Sequence, residues 1–156
     1  VNLLNIKLET LIHCKTISTA ETYPVRHPVL RPGKPLESCH FDGDELASTH
    51  HFGIFDGELL IGVLSLFVAA TDWIATETQL QFRGMAVLSP YQNKGIGAQL
   101  MAYAEAQIPV KKPYFIWLNA RERALSFYEK MGYQKKGKPF TIGDIGIHYV
   151  LVKLKD

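Results

Sequence analysis

The sequence predicts an α/β (α+β) fold, a mixed and mainly antiparallel central sheet with helices on both faces. Three observations carry that prediction. Two β-rich runs, residues 51–55 and 58–67, flank Asp56-Gly57, a dipeptide that favours a hairpin turn. A strand through Met85-Ala86-Val87 enters a turn bearing Gly95 and Gly97. It then passes at once into helical periodicity, with Ile96, Leu100, Ala104 and Ile108 on one stripe. Finally, the apolar run Tyr114-Phe-Ile-Trp-Leu118 reads as a buried strand and precedes a second helical segment that stops before Gly132. The element order is β-α-β-β-β-α-β-α-β-β.

Taken in order, Leu4, Ile6 and Leu8 alternate with polar residues and predict the first strand. Ser18 and Glu21 form a capping box that opens a helix, which Pro24 and Pro28 are expected to interrupt. Arg31-Pro32-Gly33-Lys34-Pro35 ends it and begins a long polar loop to about Ser48, holding His40, Asp42, Asp44 and Glu45. The run 58–67 is apolar at nearly every position, as a strand covered on both faces requires. Thr78, Leu80 and Phe82 alternate with Gln79, Gln81 and Arg83, and Gly84 marks a bulge. Pro109 stops the helix after the glycine turn, Asn119 is expected to cap the next one with Glu122 as reciprocal partner, and strands follow from Tyr133 and from Ile145 to Leu154.

At 156 residues and 47% hydrophobic, the chain fits one domain over residues 1–156. A net charge of +2 does not suggest sequence-independent nucleic-acid binding, and Lys135, Lys136 and Lys138 read as a solvated loop. Cys14 and Cys39 form no metal spacing, suit a reducing compartment, and Cys14 reads as a small core residue. The apolar run 59–70 is shorter than the ~18 residues of a membrane helix, and the N-terminal residues have no signal-peptide pattern. A cytoplasmic protein with no membrane partner is expected. His50 and His51, adjacent on a strand, point to opposite faces and do not suggest a metal site.

Chemistry concentrates in Gln92-Asn93-Lys94-Gly95-Ile96-Gly97-Ala98. A strand-to-helix turn exposes unpaired N–H groups at the positive end of a helix dipole, which suits an anion. The turn is not a Walker loop, because no Lys-Ser or Lys-Thr follows the second glycine. A dinucleotide fingerprint wants a third glycine, which Ala98-Gln99-Leu100 does not supply.

Together with Ala124-Leu-Ser-Phe127-Tyr128-Glu-Lys-Met-Gly132-Tyr133, the stretch from about Leu80 resembles the GNAT superfamily of acyl-CoA-dependent N-acetyltransferases. The resemblance implies that acetyl-CoA is the cosubstrate, with no metal. It implies a pyrophosphate held by the backbone of Gln92, Asn93, Lys94, Gly95, Ile96, Gly97 and Ala98. Met85, Ala86 and Val87 would pair with the pantetheine arm, and Asn119, Ala124 and Phe127 would line its lower part. Tyr128 is the implied general acid for the leaving thiolate. The glutamate that many relatives carry before the turn is absent: Gln79, Gln81 and Arg83 occupy that strand. His148 is the candidate base, since an imidazole titrates near working pH; His40, His50, His51 and a water chain stay open. Asp42, Asp44 and Glu45 could attract a cationic amine or form a solvated loop. Direct transfer to a small amine acceptor of undetermined identity is the expected function, the alternative being a non-catalytic acyl-CoA-binding module. A homodimer through the late strands would fit relatives.

Overall fold

The computed structural model describes residues 11–72 and 78–156. Ten regular elements follow in order: β1 (Ile12–Ile17), α1 (Thr19–Leu30), β2 (His50–Asp56), β3 (Leu59–Val68), β4 (Thr78–Val87), α2 (Ile96–Ala106), β5 (Tyr114–Arg121), α3 (Leu125–Lys130), β6 (Gln134–Ile142) and β7 (Gly146–Lys155). The strands form one sheet in the order β1-β2-β3-β4-β5-β7-β6. Only β4 and β5 run parallel; every other pair is antiparallel. The strand expected over Leu4, Ile6 and Leu8 lies outside the described residues, and the first described strand is β1, which pairs with β2.

The two faces of the sheet carry different cores. Leu80 and Phe82 of β4 pack with Ile96, Leu100, Met101 and Ala104 of α2 and with Ile116, Leu118 and Ala120 of β5. On the opposite face, Val25 of α1 packs with Ile17, Phe55, Val63 and Ala86. Strand β3 is buried along its middle, as its unbroken apolar pattern requires. Cys14 is half-buried against the larger core.

Helix α1 begins at the Ser18–Glu21 capping box, with both reciprocal bonds formed. Pro24 and Pro28 do not interrupt it. Spaced four apart, they share the exposed face, where water can satisfy the carbonyls they leave unpaired. The opposite face buries Thr22, Val25 and Arg26. Asn119 is not a helix cap: it sits inside β5 opposite Val150, because antiparallel pairing with β7 carries the strand on to Arg121. A 3-10 turn, Glu122–Ala124, then leads into α3 without a side-chain cap. Gly132 does follow α3, with φ of 95°. Lys135, Lys136 and Lys138 lie on the exposed edge strand β6 rather than in a loop, where lysines oppose edge-to-edge pairing.

Between α1 and the sheet lies a polar cluster that the sequence does not announce. Arg26 is fully buried and bonds Asp44 twice, at 2.6 and 3.1 Å. It also donates to the Cys39 carbonyl and to Ser65 Oγ. The Asp44 carboxylate accepts the Phe41 amide at 2.8 Å, and the Asp44 carbonyl lies 2.9 Å from His51 Nε2. Asp44 is therefore neither solvated nor offered to a cationic ligand, as the loop composition had suggested; only Asp42 and Glu45 are exposed. His51 takes a structural place between Asp44 and Ser65.

Burial alone would raise the Asp44 carboxyl, but the Arg26 hydrogen bond, the Phe41 amide and neighbouring positive charge outweigh it and hold the group below its usual value. A depressed folded-state value means the stabilisation is complete above the unfolded value of 3.8 and drains as pH falls through the folded one. Asp44→Ala leaves Arg26 buried and uncompensated, so it is expected to cost about 3–5 kcal/mol in chemical denaturation at neutral pH. The wild-type advantage over Asp44→Ala should shrink as pH falls below the ordinary carboxylate range.

Candidate active site

Strands β4 and β5 pair over only four residue pairs, Thr78↔Tyr114 to Gln81↔Trp117. Beyond them β5 stays with β7 as far as Arg121↔His148, while β4 stays with β3 as far as Val87↔Gly62. The sheet opens between the two. From Phe82 onward, the β5-facing edge of β4 has no strand partner among the described residues, so an extended ligand can add there as a strand would.

A bulge sharpens the opening. The β3–β4 register slips between Val63↔Ala86 and Ser65↔Arg83, which leaves Gly84 and Met85 facing Leu64 alone. Gly84 has φ of 69°, and a Cβ there would stand 2.8 Å from Phe41 Cε2. Glycine is required twice over, by conformation and by the ring. The Phe41 ring is held in turn by Arg26, whose Cζ lies 3.9 Å from its centroid.

Where β4 ends, the chain makes a 3-10 turn, Ser89–Tyr91, and reaches α2 through Asn93 (φ 61°) and Gly95 (φ 78°). Asn93 is the one non-glycine residue with positive φ among the described residues. Tyr91 ties this turn to the hairpin by donating to Asp56 at 2.9 Å. Gln92 Nε2 donates to the Val87 carbonyl at 2.8 Å, and the Gln92 amide donates to Ser89. The amide of Gln92 is thus already committed, unlike the first-turn amides of α2. Gln99 donates back to the Gly95 carbonyl, so the amides of Ile96, Gly97 and Ala98 precede the first helical bond. They point out of the helix end and suit an anion. Ile96 buries its side chain in the core while keeping that amide. Gly97 serves packing: a Cβ there would meet the Phe127 ring at 3.3 Å.

The opening is a cavity of about 570 Å³. Met85, Ala86, Val87 and Gln92 line one wall, and Asn119, Ala124, Phe127 and Tyr128 another, with His148 beside them. Residues 93–98, which follow Gln92 in the chain, are not among the lining residues. Tyr128 is packed edge-on against Phe127 and Tyr133. Its hydroxyl has no protein partner among the described residues, and desolvation pushes it up to about 12, so it keeps its proton throughout the neutral range. His148 is buried, with Nδ1 2.9 Å from the Gly146 carbonyl. A carbonyl can only accept, so Nδ1 carries a proton and Nε2 is the ring nitrogen left for other partners. His40, His50 and His51 do not line the cavity, nor do Asp42, Asp44 and Glu45. Burial raises both cysteine thiols, and neither lines the cavity. No group of three or more His, Cys, Asp or Glu among the described residues could hold a metal.

A domain family described as "Acetyltransferase (GNAT) domain" matches residues 47–135. The chain belongs to the GNAT family of acetyltransferases. It is 32% identical over 143 residues to the uncharacterized N-acetyltransferase YitI of Bacillus subtilis, covering 92% of this chain and 96% of that protein. Two solved GNAT-fold structures superpose on it at 14% identity: an aminoglycoside 6'-N-acetyltransferase complexed with coenzyme A (TM-score 0.72, covering 91% of this chain and 96% of that one), and Arabidopsis thaliana NAA60 in complex with acetyl-CoA (TM-score 0.67, 92% and 98%). At that identity the likeness concerns the fold. No described helix is long and apolar enough to cross a membrane.

Phe41 and Arg31 reach this GNAT cavity without having been singled out from the sequence, and Arg83 was noted only as unfit to be a base. A signal for Arg83 existed: it shares strand parity with Gln79 and Gln81, a polar row on a strand in mid-sheet. Phe41 and Arg31 carried none, since the loop fold decides where they go. Gly84→Ala combines a strained backbone with a clash against Phe41, and is expected to lower stability by about 1–3 kcal/mol in urea denaturation.

Proposed function

We propose that this acetyltransferase moves the acetyl group of acetyl-CoA directly to a primary amine of a small acceptor. The observation that carries the reading is one continuous path. The first-turn amides of residues 96–98 follow Gln92 in the chain, and Gln92 lines, with Met85, Ala86 and Val87 of the open β4 edge, the cavity that also holds Tyr128 and His148. The related folds solved with coenzyme A and acetyl-CoA support the same cosubstrate.

In this reading the helix-end amides, with those of Asn93, Lys94 and Gly95, hold the pyrophosphate. The β4 edge pairs with the pantetheine arm, and Asn119, Ala124 and Phe127 flank it. His148 Nε2 takes a proton from the acceptor ammonium, and the freed amine nitrogen attacks the thioester carbonyl. Backbone donors of the β4 bulge stabilise the resulting oxyanion. As the carbon–sulfur bond breaks, Tyr128 gives its proton to the departing thiolate; the extra proton on the acylated nitrogen passes through solvent to restore the phenol, the neutral amide and free thiol leave, and His148 returns to solvent the proton it took. Holding amine and thioester together in the gap supplies much of the acceleration. Cysteines kept as thiols away from the cavity favour this single-step transfer over a covalent relay.

Tyr128→Phe is expected to bind acetyl-CoA like the wild type in calorimetry while kcat falls about 100-fold or more. Unchanged turnover would remove Tyr128 from the role of acid. His148→Gln should lower kcat about 100-fold or more, followed by thiol release, while acetyl-CoA binding holds in calorimetry; unchanged turnover would assign the base elsewhere.

A further inference from the structure

The cavity wall carries arginines and no carboxylate. Arg31, Arg83, Arg121 and Arg123 all line it, and no aspartate or glutamate does among the described residues. None of the four forms an ion pair among the described residues. Among the described residues the Arg31 guanidinium donates only to the carbonyls of Ser38 and Leu30, at 3.4 and 3.2 Å.

Three guanidinium groups gather around the Phe41 ring. Arg26, Arg83 and Arg31 hold their Cζ atoms 3.9, 5.0 and 5.8 Å from its centroid. Asp44 neutralises one of them, spending both carboxylate oxygens on Arg26. Asp44, and after it the exposed Asp42, attract Arg83 through space, but neither pairs with it. Arg83 also stacks near Phe67, at 5.1 Å, and its guanidinium makes no hydrogen bond to the described residues. Desolvation weakens its hold on the proton, a cost that an arriving anion would offset. Arg83 lies in the bulged part of β4, next to Gly84 and Met85, on the side of the sheet that α1 covers. The turn that suits a pyrophosphate lies beyond the far end of this strand segment, after Val87.

We infer that the acceptor amine carries an anionic oxygen group, a carboxylate or a phosphate, which Arg83 and Arg31 bind beside the Phe41 ring. This rests on the acetyl-transfer reading above and narrows its acceptor: cationic polyamines and aminoglycosides are disfavoured by a positive wall, whereas amino acids and phosphorylated amines complement it. The planar guanidinium fork suits both oxyanion types. Arg83 is then a specificity-determining residue, with no part in proton transfer.

The test is an acceptor panel with the purified wild-type protein and acetyl-CoA, reading thiol release. Its arms are L-methionine and L-glutamate for carboxylates, O-phosphoethanolamine for phosphate, and spermidine and kanamycin for cations. An anionic amine should exceed both cations in kcat/KM by about tenfold or more, the scale of one charge-assisted hydrogen bond. Whether the carboxylate or phosphate arm leads identifies the group. Arg83→Gln should raise KM for the preferred acceptor about tenfold or more, with Arg83→Lys partly restoring it, while KM for acetyl-CoA holds. A preference for spermidine or kanamycin overturns the inference, as does an Arg83→Gln defect that falls on acetyl-CoA. The wild-type panel decides without any variant having to fold. Calorimetry separates the two levels. Absence of acetyl-CoA binding overturns the acetyl-transfer reading itself, whereas binding without turnover of any anionic amine overturns only the acceptor assignment.

Discussion

Past Gln81 and Trp117 the parallel pairing of β4 with β5 ends, and each strand follows its other neighbour. An unpaired backbone edge in the middle of a sheet is ordinarily costly, because buried N–H and C=O groups demand partners. Here the edge opens onto a cavity, where water or a ligand can meet that demand. The same departure brings Tyr128, on the helix after β5, and His148, at the β7 end of the pairing, to face Met85–Val87. Had β4 and β5 remained zipped, these groups would be separated by a continuous sheet and the turn before α2 would lead nowhere.

The opening is held by packing on its α1 side. Gly84 admits the Phe41 ring, the ring rests against Arg26, and Arg26 is anchored by Asp44 and Ser65. A buried ion pair of this kind is weak evidence of net stabilisation, since desolvation of both charges opposes their attraction. Its value is geometric. It fixes a loop of many polar residues in one conformation, and that loop supplies part of the cavity wall. Arg26 Nε has no hydrogen-bond partner among the described residues, and the aromatic face of Phe41 lies against the same group.

Charge divides the site by function. Near the α2 terminus, partial positive charge comes from backbone amides, which do not titrate and carry no side-chain entropy. On the α1 side it comes from guanidinium groups, which can read shape as well as charge. Between these lies a phenol kept protonated by its apolar surroundings and an imidazole whose tautomer is set by a carbonyl. The proposed acid and base therefore have different environments within one cavity, as a reaction that takes a proton at one end and gives one at the other would require.

Local chemistry was legible in the sequence wherever it depends on neighbouring residues. The Ser18–Glu21 box, the Asp56-Gly57 turn, the bulge at Gly84 and the glycine turn before α2 are short-range features, and Phe127-Tyr128 with Gly132-Tyr133 lies at a family-like distance from that turn. Where competing partners are distant in the chain, local reading failed. Asn119 became a strand residue because β7, some thirty positions later, offers a ladder that a cap cannot match. Pro24 and Pro28 stayed within α1 because the helix buries its other face. Asp44 turned inward because Arg26 waited there. From α1 onward the sequence alone determined the strand and helix order and the anion-suited turn, since these follow from periodicity and glycine placement, and the motifs at residues 92–97 and 127–133 carried the likeness to the family. Only the tertiary structure decided that Arg31, Arg83 and Phe41 share a wall with Tyr128 and His148, because contacts across a sheet and a folded loop depend on packing between segments that no local pattern relates.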